Sequence, residues 1–154
     1  MKKLIFVVAL LLSGFSVSAQ AATATGTFNV LINLTSKCEI NSTNAATGAL
    51  ITDLTFDYTS FQTAPATPTT SFNVRCTNTL PYALSLDATS VTDNATNLAY
   101  TLALSGATAT GTGANQVITV TGTMAAGQSG TCGTTAVCTN AAATNKQRML
   151  TVTY

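Results

Sequence analysis

The sequence predicts an all-β protein, an immunoglobulin-like antiparallel β-sandwich. Three observations predict it: apolar and polar residues alternate in several short runs, Thr, Val, Ile, Tyr and Phe occupy those runs, and stretches rich in Gly, Asn and Thr separate them. No helical stripe of apolar residues follows Ala21. The chain has 154 residues, of which 7% are charged and 32 are Thr. Hydroxyl and amide groups therefore cover a surface that charged groups cover in most soluble domains.

The N-terminus has the three parts of a secretory signal peptide. Two lysines precede the apolar run Leu4–Leu12, and the small-residue cleavage site Ala19–Ala21 follows it. We expect residues 1–21 to be removed, which leaves a mature chain that begins at Ala22. The apolar run is short for a bilayer span and no second long apolar run follows, so an uncleaved anchor is the less favoured alternative. No membrane span is expected after cleavage.

The mature chain carries four basic and five acidic side chains, which leaves a net charge of −1. A nucleic-acid binder needs clustered Lys and Arg to displace counterions from phosphates, and these cations are scattered along the chain. Neither nucleic acid nor an anionic membrane surface is therefore an expected partner. The charged residues are Lys37, Arg75, Lys146 and Arg148, and Glu39, Asp53, Asp57, Asp87 and Asp93.

The first alternating segment comes soon after the predicted cleavage site. Phe28, Val30, Ile32 and Leu34 alternate with other residues, which places four apolar side chains on one face of a strand. The pattern alone leaves two interpretations: the first strand of a closed domain, pairing within its own chain, or a free arm that pairs elsewhere. Periodicity by itself favours the closed domain.

Further period-two runs predict the remaining strands, about seven or eight in all. Residues 43–48, 105–115 and 124–145 lack the pattern and are predicted to form turns and loops, the last being the region with the least strand character. The predicted strands are Leu54–Phe56, Phe72–Cys76, Tyr82–Leu86, Leu98–Leu104, Val117–Thr123 and Leu150–Tyr154.

The four cysteines are expected to pair, because export leads to an oxidising compartment. Four cysteines allow three connectivities, and sequence separation favours Cys38 with Cys76 and Cys132 with Cys138. A zinc site is the rival interpretation. It is disfavoured because the chain has no His and no CxxC pair.

Little in the sequence points to catalysis, and we expect that the protein is not an enzyme. Activation of a Ser or Cys nucleophile needs a positioned base, and without His the candidates are a few carboxylates and lysines. Asp53 and Asp57 could be imagined as an acid/base pair, but carboxylates beside short strands are usually solvated or turn-forming. No cofactor motif occurs. The sequons at Asn33, Asn41 and Asn94 are expected by chance in a chain so rich in Thr.

Five motifs, in a fixed order after the signal peptide, carry a family resemblance: Phe28–Cys38, Leu54–Tyr58, Phe72–Thr77, Pro81–Asp87 and Leu150–Tyr154. Together they resemble the spore coat protein U domain family, whose members include pilins of the archaic chaperone-usher pili of Gram-negative bacteria. The likeness covers nearly the whole mature chain and is clearest in residues 26–104 and 147–154. Cys132 and Cys138 are not part of the family pattern.

The resemblance implies an incomplete sandwich that lacks its last strand. A periplasmic chaperone first fills the open groove, and the N-terminal extension of the next subunit then replaces it. On this interpretation residues 22–36 are a donor extension and residues 37–154 the pilin domain. The donor side chains are Phe28, Val30, Ile32 and Leu34.

The resemblance also implies a groove edge, partners and a location. The final strand, with Leu150, Val152 and Tyr154, is expected to border the groove, and the terminal carboxylate is expected to be held by basic residues of the chaperone. The expected partners are copies of this chain or sister pilins bound head to tail, a periplasmic chaperone and an outer-membrane usher. We expect export through the periplasm to a surface pilus that serves adhesion or biofilm formation.

Two other classes of function remain open on the sequence. One is a secreted binding module, such as an adhesin or a carbohydrate-binding sandwich, for which a surface cluster of aromatic residues is the distinguishing feature. The other is a self-complemented coat protein that does not polymerise. A lone subunit that behaves as a stable monomer would favour either of these over a pilin.

Overall fold

The computed structural model describes residues 22–41, 43–44 and 50–154, and for residues 43–44 it describes the backbone. The predicted signal peptide, residues 1–21, lies outside the described residues. Within them there is no helix with the length and apolarity needed to cross a membrane. The described residues fall into two units, which divide between Asn33 and Leu34. Residues 22–37 belong to neither a helix nor a strand.

In the part of the second unit that the structure describes, nine strands form two antiparallel sheets, so the predicted all-β, sandwich-like fold is confirmed. The larger sheet has six strands in the order β2-β1-β3-β8-β6-β5, and the smaller sheet has three in the order β7-β4-β9. The strands are β1 (Cys38–Ile40), β2 (Thr43–Asn44), β3 (Thr69–Cys76), β4 (Pro81–Leu86), β5 (Ser90–Thr92), β6 (Ala99–Leu104), β7 (Thr108–Thr110), β8 (Gln116–Met124) and β9 (Leu150–Thr153).

The core lies between the inner faces of the sheets, where period-two alternation delivers one apolar side chain from every second residue. Strands β3 and β8 pair over six residues, with Phe72 opposite Ile118 and Thr70 opposite Val120. Full burial of one such large apolar side chain contributes about 1.5–3 kcal/mol. The buried cluster contains Cys38, Ile40, Phe72, Val74, Cys76, Tyr82, Leu84, Leu102, Ile118 and Val120.

The predicted strands Phe72–Cys76, Tyr82–Leu86, Leu98–Leu104, Val117–Thr123 and Leu150–Tyr154 correspond to β3, β4, β6, β8 and β9, whereas the alternating run 28–34 belongs to no strand. The predicted loop 105–115 contains β7, because Thr108–Thr110 finds a ladder partner in β4. The predicted loop 43–48 likewise contains β2, which pairs with β1. Conversely, the predicted strand Leu54–Phe56 is not assigned to either sheet.

Two connecting segments, the wall and the strap, shape the sandwich. The wall is residues 51–59, a stretch without assigned secondary structure between β2 and β3. The strap is residues 125–149, which joins β8 to β9 without a strand of its own, as predicted for most of this stretch. Hydrogen bonds from Asn145 Nδ2 to Thr92 O (2.8 Å) and from Thr131 N to Thr96 O (2.6 Å) fasten the strap over the β5–β6 hairpin.

Candidate assembly site

The four apolar residues of the first alternating segment are exposed. The exposed fractions are 86% for Phe28, 72% for Val30, 84% for Ile32 and 79% for Leu34. Leu31, between them, is also 87% exposed. Single apolar residues are common on protein surfaces, but a contiguous row of large ones marks an interaction segment.

Strand β9 has one edge that pairs with no strand of the described chain. It pairs with β4 alone, with Leu150 opposite Leu86 and Val152 opposite Leu84. The side chains of Leu150 and Val152 pack against the core but stay half-buried. Tyr154 lies beyond the end of the strand and is 54% exposed. An open edge combined with incompletely covered apolar side chains is a template for a further strand.

The wall has the side-chain pattern of a strand but not its backbone pairing. Leu54, Phe56 and Tyr58 are half-buried, and the residues between them are exposed. The Phe56 ring lies 5.4 Å from the ring of Tyr100, centroid to centroid. No backbone–backbone hydrogen bond that the structure describes involves residues 51–58.

Gly122 in β8 makes room for the wall. A Cβ atom at this position would lie 2.5 Å from Phe56 Cζ and 2.8 Å from Leu54 Cδ2, closer than real Cβ atoms approach other heavy atoms. The absent side chain therefore lets the wall lie directly on the inner face of the larger sheet, where β8 contributes the middle of the core.

The disulfide corner comprises residues 37–39 and 75–77, where β1 meets the end of β3. A disulfide joins Cys38 to Cys76, which are opposite each other in the β1–β3 ladder and are both at most 1% exposed. Lys37 and Thr77 exchange hydrogen bonds: Lys37 N donates to Thr77 Oγ1 (3.0 Å), and Thr77 N donates to Lys37 O (3.0 Å). The chain is therefore fixed to the sheet from Lys37 onward.

A buried carboxylate lies in the disulfide corner. Glu39 is 6% exposed, and its two oxygens lie 2.6 Å from Lys37 Nζ and 2.6 Å from Arg75 Nη2. Hydrogen bonds from Lys37 and then from Arg75 lower the pKa of the Glu39 carboxyl, although burial opposes them. The strands β1 and β3 are thus joined by a charge network as well as by a disulfide.

A second buried carboxylate anchors the strap. Asp93 is 4% exposed, and its Oδ1 accepts hydrogen bonds from Ala95 N (3.0 Å), Thr96 N (2.7 Å) and Thr96 Oγ1 (2.8 Å). Its Oδ2 accepts a bond from Asn140 Nδ2 in the strap (3.1 Å). Burial raises the pKa of the Asp93 carboxyl, but these hydrogen bonds outweigh burial and leave it lowered.

The second disulfide closes a short loop within the strap. It joins Cys132 to Cys138, six residues apart, so the chain has the pairing that sequence separation favours. Cys132 is half-buried, Cys138 is exposed, and Val137 beside it is 82% exposed. This disulfide therefore constrains a surface loop, whereas Cys38–Cys76 lies in the core.

The residues considered for other chemistry lie apart from these features. Asp53 and Asp57 are exposed on the outer side of the wall. Among the residues that the structure describes, no three His, Cys, Asp or Glu side chains are grouped closely enough to hold a metal ion. The side chain of Asn94, one of the sequon residues, is occupied by hydrogen bonds with Thr144.

Sequence reasoning missed the Asp93 anchor and the charge network at Glu39. The Asp93 bonds to Ala95 and Thr96 follow an Asp-x-x-Thr spacing typical of a local Asx-type turn, which the sequence does contain. The Glu39 network had no such signal, because its partner Arg75 is 36 residues away along the chain.

A comparison with known protein families gives one match. The Spore Coat Protein U domain, the family of archaic chaperone-usher pilus subunits, matches residues 24–110, which is 87 of the 154 residues. The matched range runs from the exposed apolar row to the end of β7. No curated protein and no solved structure matches the chain. Because the family covers more than half of its length, the chain belongs to the Spore Coat Protein U domain family.

Proposed function

We propose that this protein is a structural, non-enzymatic subunit of an archaic chaperone-usher pilus, which polymerises by donor-strand complementation and serves adhesion or biofilm formation. The observation that carries the proposal is that one chain has both an exposed apolar segment and an open sheet edge, and neither has a partner strand in the described chain. One is the exposed row Phe28, Val30, Ile32 and Leu34, and the other is the open edge of β9 with Leu150 and Val152 half-covered.

In the proposed contact the apolar row of one subunit lies along the open edge of β9 in the next. Backbone hydrogen bonds to the edge supply affinity, and alternate side chains fix the register. The wall is the second border of the acceptor groove, because Leu54, Phe56 and Tyr58 are its half-buried side chains and no described backbone–backbone hydrogen bond occupies residues 51–58. Burial of four large apolar side chains supplies about 6–12 kcal/mol before ordering costs.

The proposed route follows from the same chemistry. An exported subunit with an open groove exposes core and strand edge together, which favours aggregation. A periplasmic chaperone that covers the groove and an outer-membrane usher that exchanges the chaperone for the next subunit solve this problem. Because donor and acceptor surfaces differ, the contact is heterologous and generates an open filament at the cell surface.

The test separates donor from acceptor. The acceptor is the full mature chain from Ala22 with Val30→Asp and Ile32→Asp, which disable its own arm. It is refolded with a fluorescein-labelled peptide of residues 23–36, and capture is followed by fluorescence anisotropy. We expect stable capture of the native peptide and none of a matched peptide with the same two Asp substitutions.

A second arm of the test uses assembly. Mature chain that lacks residues 22–34 should capture peptide but form no fibres when observed by electron microscopy, whereas the unaltered chain should form them. Fibres from the truncated chain would contradict the donor assignment. A full mature chain that remains a stable monomer and captures no peptide would contradict the pilin function itself.

A further inference from the structure

The C-terminal end of the wall, with the residues just after it, is hydrogen-bonded to the strap. Tyr58 Oη donates a hydrogen bond to Ala125 O (2.8 Å), and Ser60 Oγ donates one to Ser129 O (2.6 Å). Gly127 N in turn donates to Gln62 O (2.9 Å). These bonds run between residues 58–62 and 125–129, at the end of the wall where it leaves the core. The end of the wall thus takes its position from bonds to a loop, whereas near its start Thr70 Oγ1 of β3 donates to Thr52 O (2.9 Å).

Gln128 lies at the centre of this attachment, and its backbone forms hydrogen bonds with Tyr58 of the wall and with Phe61 just after it. Its amide N donates to Tyr58 Oη (2.9 Å), and its carbonyl O accepts a bond from Phe61 N (2.8 Å). Tyr58 Oη therefore both donates to Ala125 and accepts from Gln128, which fixes the phenol at the end of the half-buried row of the wall.

The side chain of Gln128 bonds in the other direction, to the larger sheet. Its Oε1 accepts a hydrogen bond from Ala99 N (2.7 Å), and its Nε2 donates to Ala99 O (2.8 Å) and to Ala125 O (3.2 Å). Ala99 is the first residue of β6. The carboxamide therefore occupies both backbone groups of Ala99, as a residue of a neighbouring strand would.

We propose that Gln128 is the positioning residue of the acceptor groove, because it joins the wall through its backbone to β6 through its side chain. The inference rests on the proposed function, since it assigns Gln128 a role in holding one border of the groove at the place where a donor strand pairs. It extends that function to a residue in the strap, outside the range 24–110 that the family matches.

The amide group, with both a donor and an acceptor, is what the position requires. Replacement by Glu keeps the size and keeps the acceptor for Ala99 N. It also removes the donor and places a carboxylate against two carbonyl oxygens, those of Ala99 and Ala125. Protonation of the introduced carboxyl restores a donor, so a Gln128→Glu defect is expected to be relieved in acid, below the ordinary pKa of a Glu carboxyl.

The experiment measures release of the labelled peptide of residues 23–36 from the full-length acceptor with the disabled arm. Release rates are compared with and without Gln128→Glu at pH 7 and at pH 3.5. The ratio of the two rates at each pH removes the effect of any titration that both chains share. We expect about three- to tenfold faster release at pH 7, as for a lost hydrogen bond. At pH 3.5 we expect a ratio within about twofold of one, because the protonated carboxyl donates again.

Gln116→Glu is the matched control. Gln116 is also hydrogen-bonded through both ends of its amide, with Nε2 to Thr110 O (3.2 Å) and Oε1 to Tyr82 Oη (3.3 Å), and neither partner is in the wall. We expect this variant to lower the denaturation midpoint while leaving the peptide release rate unchanged at both pH values. A general loss of stability would instead speed release in both variants.

The outcomes separate this inference from the proposed function. Unchanged release from the Gln128→Glu acceptor at pH 7, or faster release that persists at pH 3.5, overturns the positioning role alone. Equal effects of Gln116→Glu and Gln128→Glu on release also overturn it. Failure of the unsubstituted acceptor to capture the peptide overturns the proposed function and this inference with it.

Discussion

The disulfide corner and the strap each contain a disulfide and are each held by a buried carboxylate, but that carboxylate is satisfied differently in the two places. In the disulfide corner two cations, from Lys37 and Arg75, neutralise Glu39. In the strap region, neutral donors surround Asp93: backbone N–H groups, a hydroxyl and the amide of Asn140. The disulfides differ too, since Cys38–Cys76 is buried in a ladder and Cys132–Cys138 closes a surface loop.

This difference shows two ways to hold an irregular part of a β-sandwich. Strand β1 has only three residues, so few ladder bonds hold it, and covalent and ionic links between strands compensate. The strap has no ladder at all, and individual hydrogen bonds to the β5–β6 turn hold it instead. On the proposed function the first region carries the base of the donor segment and the second supports a border of the acceptor groove.

The largest expected effect comes from the disulfide corner. Replacing Cys38 and Cys76 together with Ala should lower the free energy of unfolding by about 4 kcal/mol, because a 38-residue separation leaves a long loop open in the unfolded chain. Guanidinium chloride unfolding of the mature protein, followed by circular dichroism, measures it. A loss no greater than that from opening the strap disulfide would remove the distinction between the two regions.

Removing the strap's carboxylate should have the next largest effect. Asp93→Ala deletes an acceptor for four hydrogen bonds and should cost about 2–3 kcal/mol in unfolding free energy. Hydrogen exchange should rise at Ala95, Thr96 and the strap before it rises in β3 and β8. Asp87→Ala is the control, since Asp87 is another carboxylate that binds the strap, at Met149 N and Arg148, but is exposed. Uniform exchange throughout both sheets would contradict a local anchor.

Opening the strap disulfide should cost less. Replacing Cys132 and Cys138 with Ala frees a loop of six residues' separation, for which chain entropy gives about 2 kcal/mol at most. The exposed position of Cys138 means that little packing is lost in addition. Denaturant unfolding beside the Cys38→Ala and Cys76→Ala protein gives the comparison directly. A cost of about 4 kcal/mol would mean that the loop is part of the core structure.

The long strands could be predicted from the sequence, because one buried face imposes period two on β3 and β8. The same reasoning predicted a strand at Leu54–Phe56 and was right about its half-buried side chains but not about pairing. Alternation reports which side chains face a core and carries no information on whether a neighbouring backbone is present. The prediction failed in the opposite way at the short strand β7. Its Thr-Ala-Thr sequence has no strand signal and becomes a strand only by pairing with β4.

The candidate site likewise has one part that the sequence predicts and one part that it does not. The exposed row at residues 28–34 and the apolar side of β9 were visible as local patterns, whereas the strap's contacts were not. Gln128 bonds to Tyr58, 70 residues earlier, and Asp93 bonds to Asn140, 47 residues later. Contacts of this range depend on how the strap folds over the sheet, and a stretch of Ala, Gly and Thr contains no periodic signal for that path.

The smallest expected effect comes from one cation of the disulfide corner, and its sign depends on pH. The pKa of Glu39 is lowered in the folded chain, so the carboxylate contributes stability above its ordinary value of 4.5 and loses that contribution as pH falls. Lys37 is the first cause of the lowering, and its side chain is 63% exposed, so Lys37→Met should change unfolding little at pH 7. It should, however, raise the pKa of Glu39 toward the ordinary value.

The acid-side loss of stability should therefore be smaller in the Lys37→Met protein and be complete at a higher pH, whereas its onset, which the unfolded chain sets, should not move. Urea unfolding in steps from pH 6 to pH 3 measures this dependence, and Lys146→Met serves as the control because Lys146 contacts a carbonyl oxygen in the strap and no carboxylate. Asp93 contributes equally to the pH dependence of the unaltered protein and of both variants. A difference between the two variants therefore reports the disulfide corner alone. Identical pH profiles for Lys37→Met and Lys146→Met would show that Arg75 suffices to hold Glu39, and the two-cation description of the disulfide corner would be wrong.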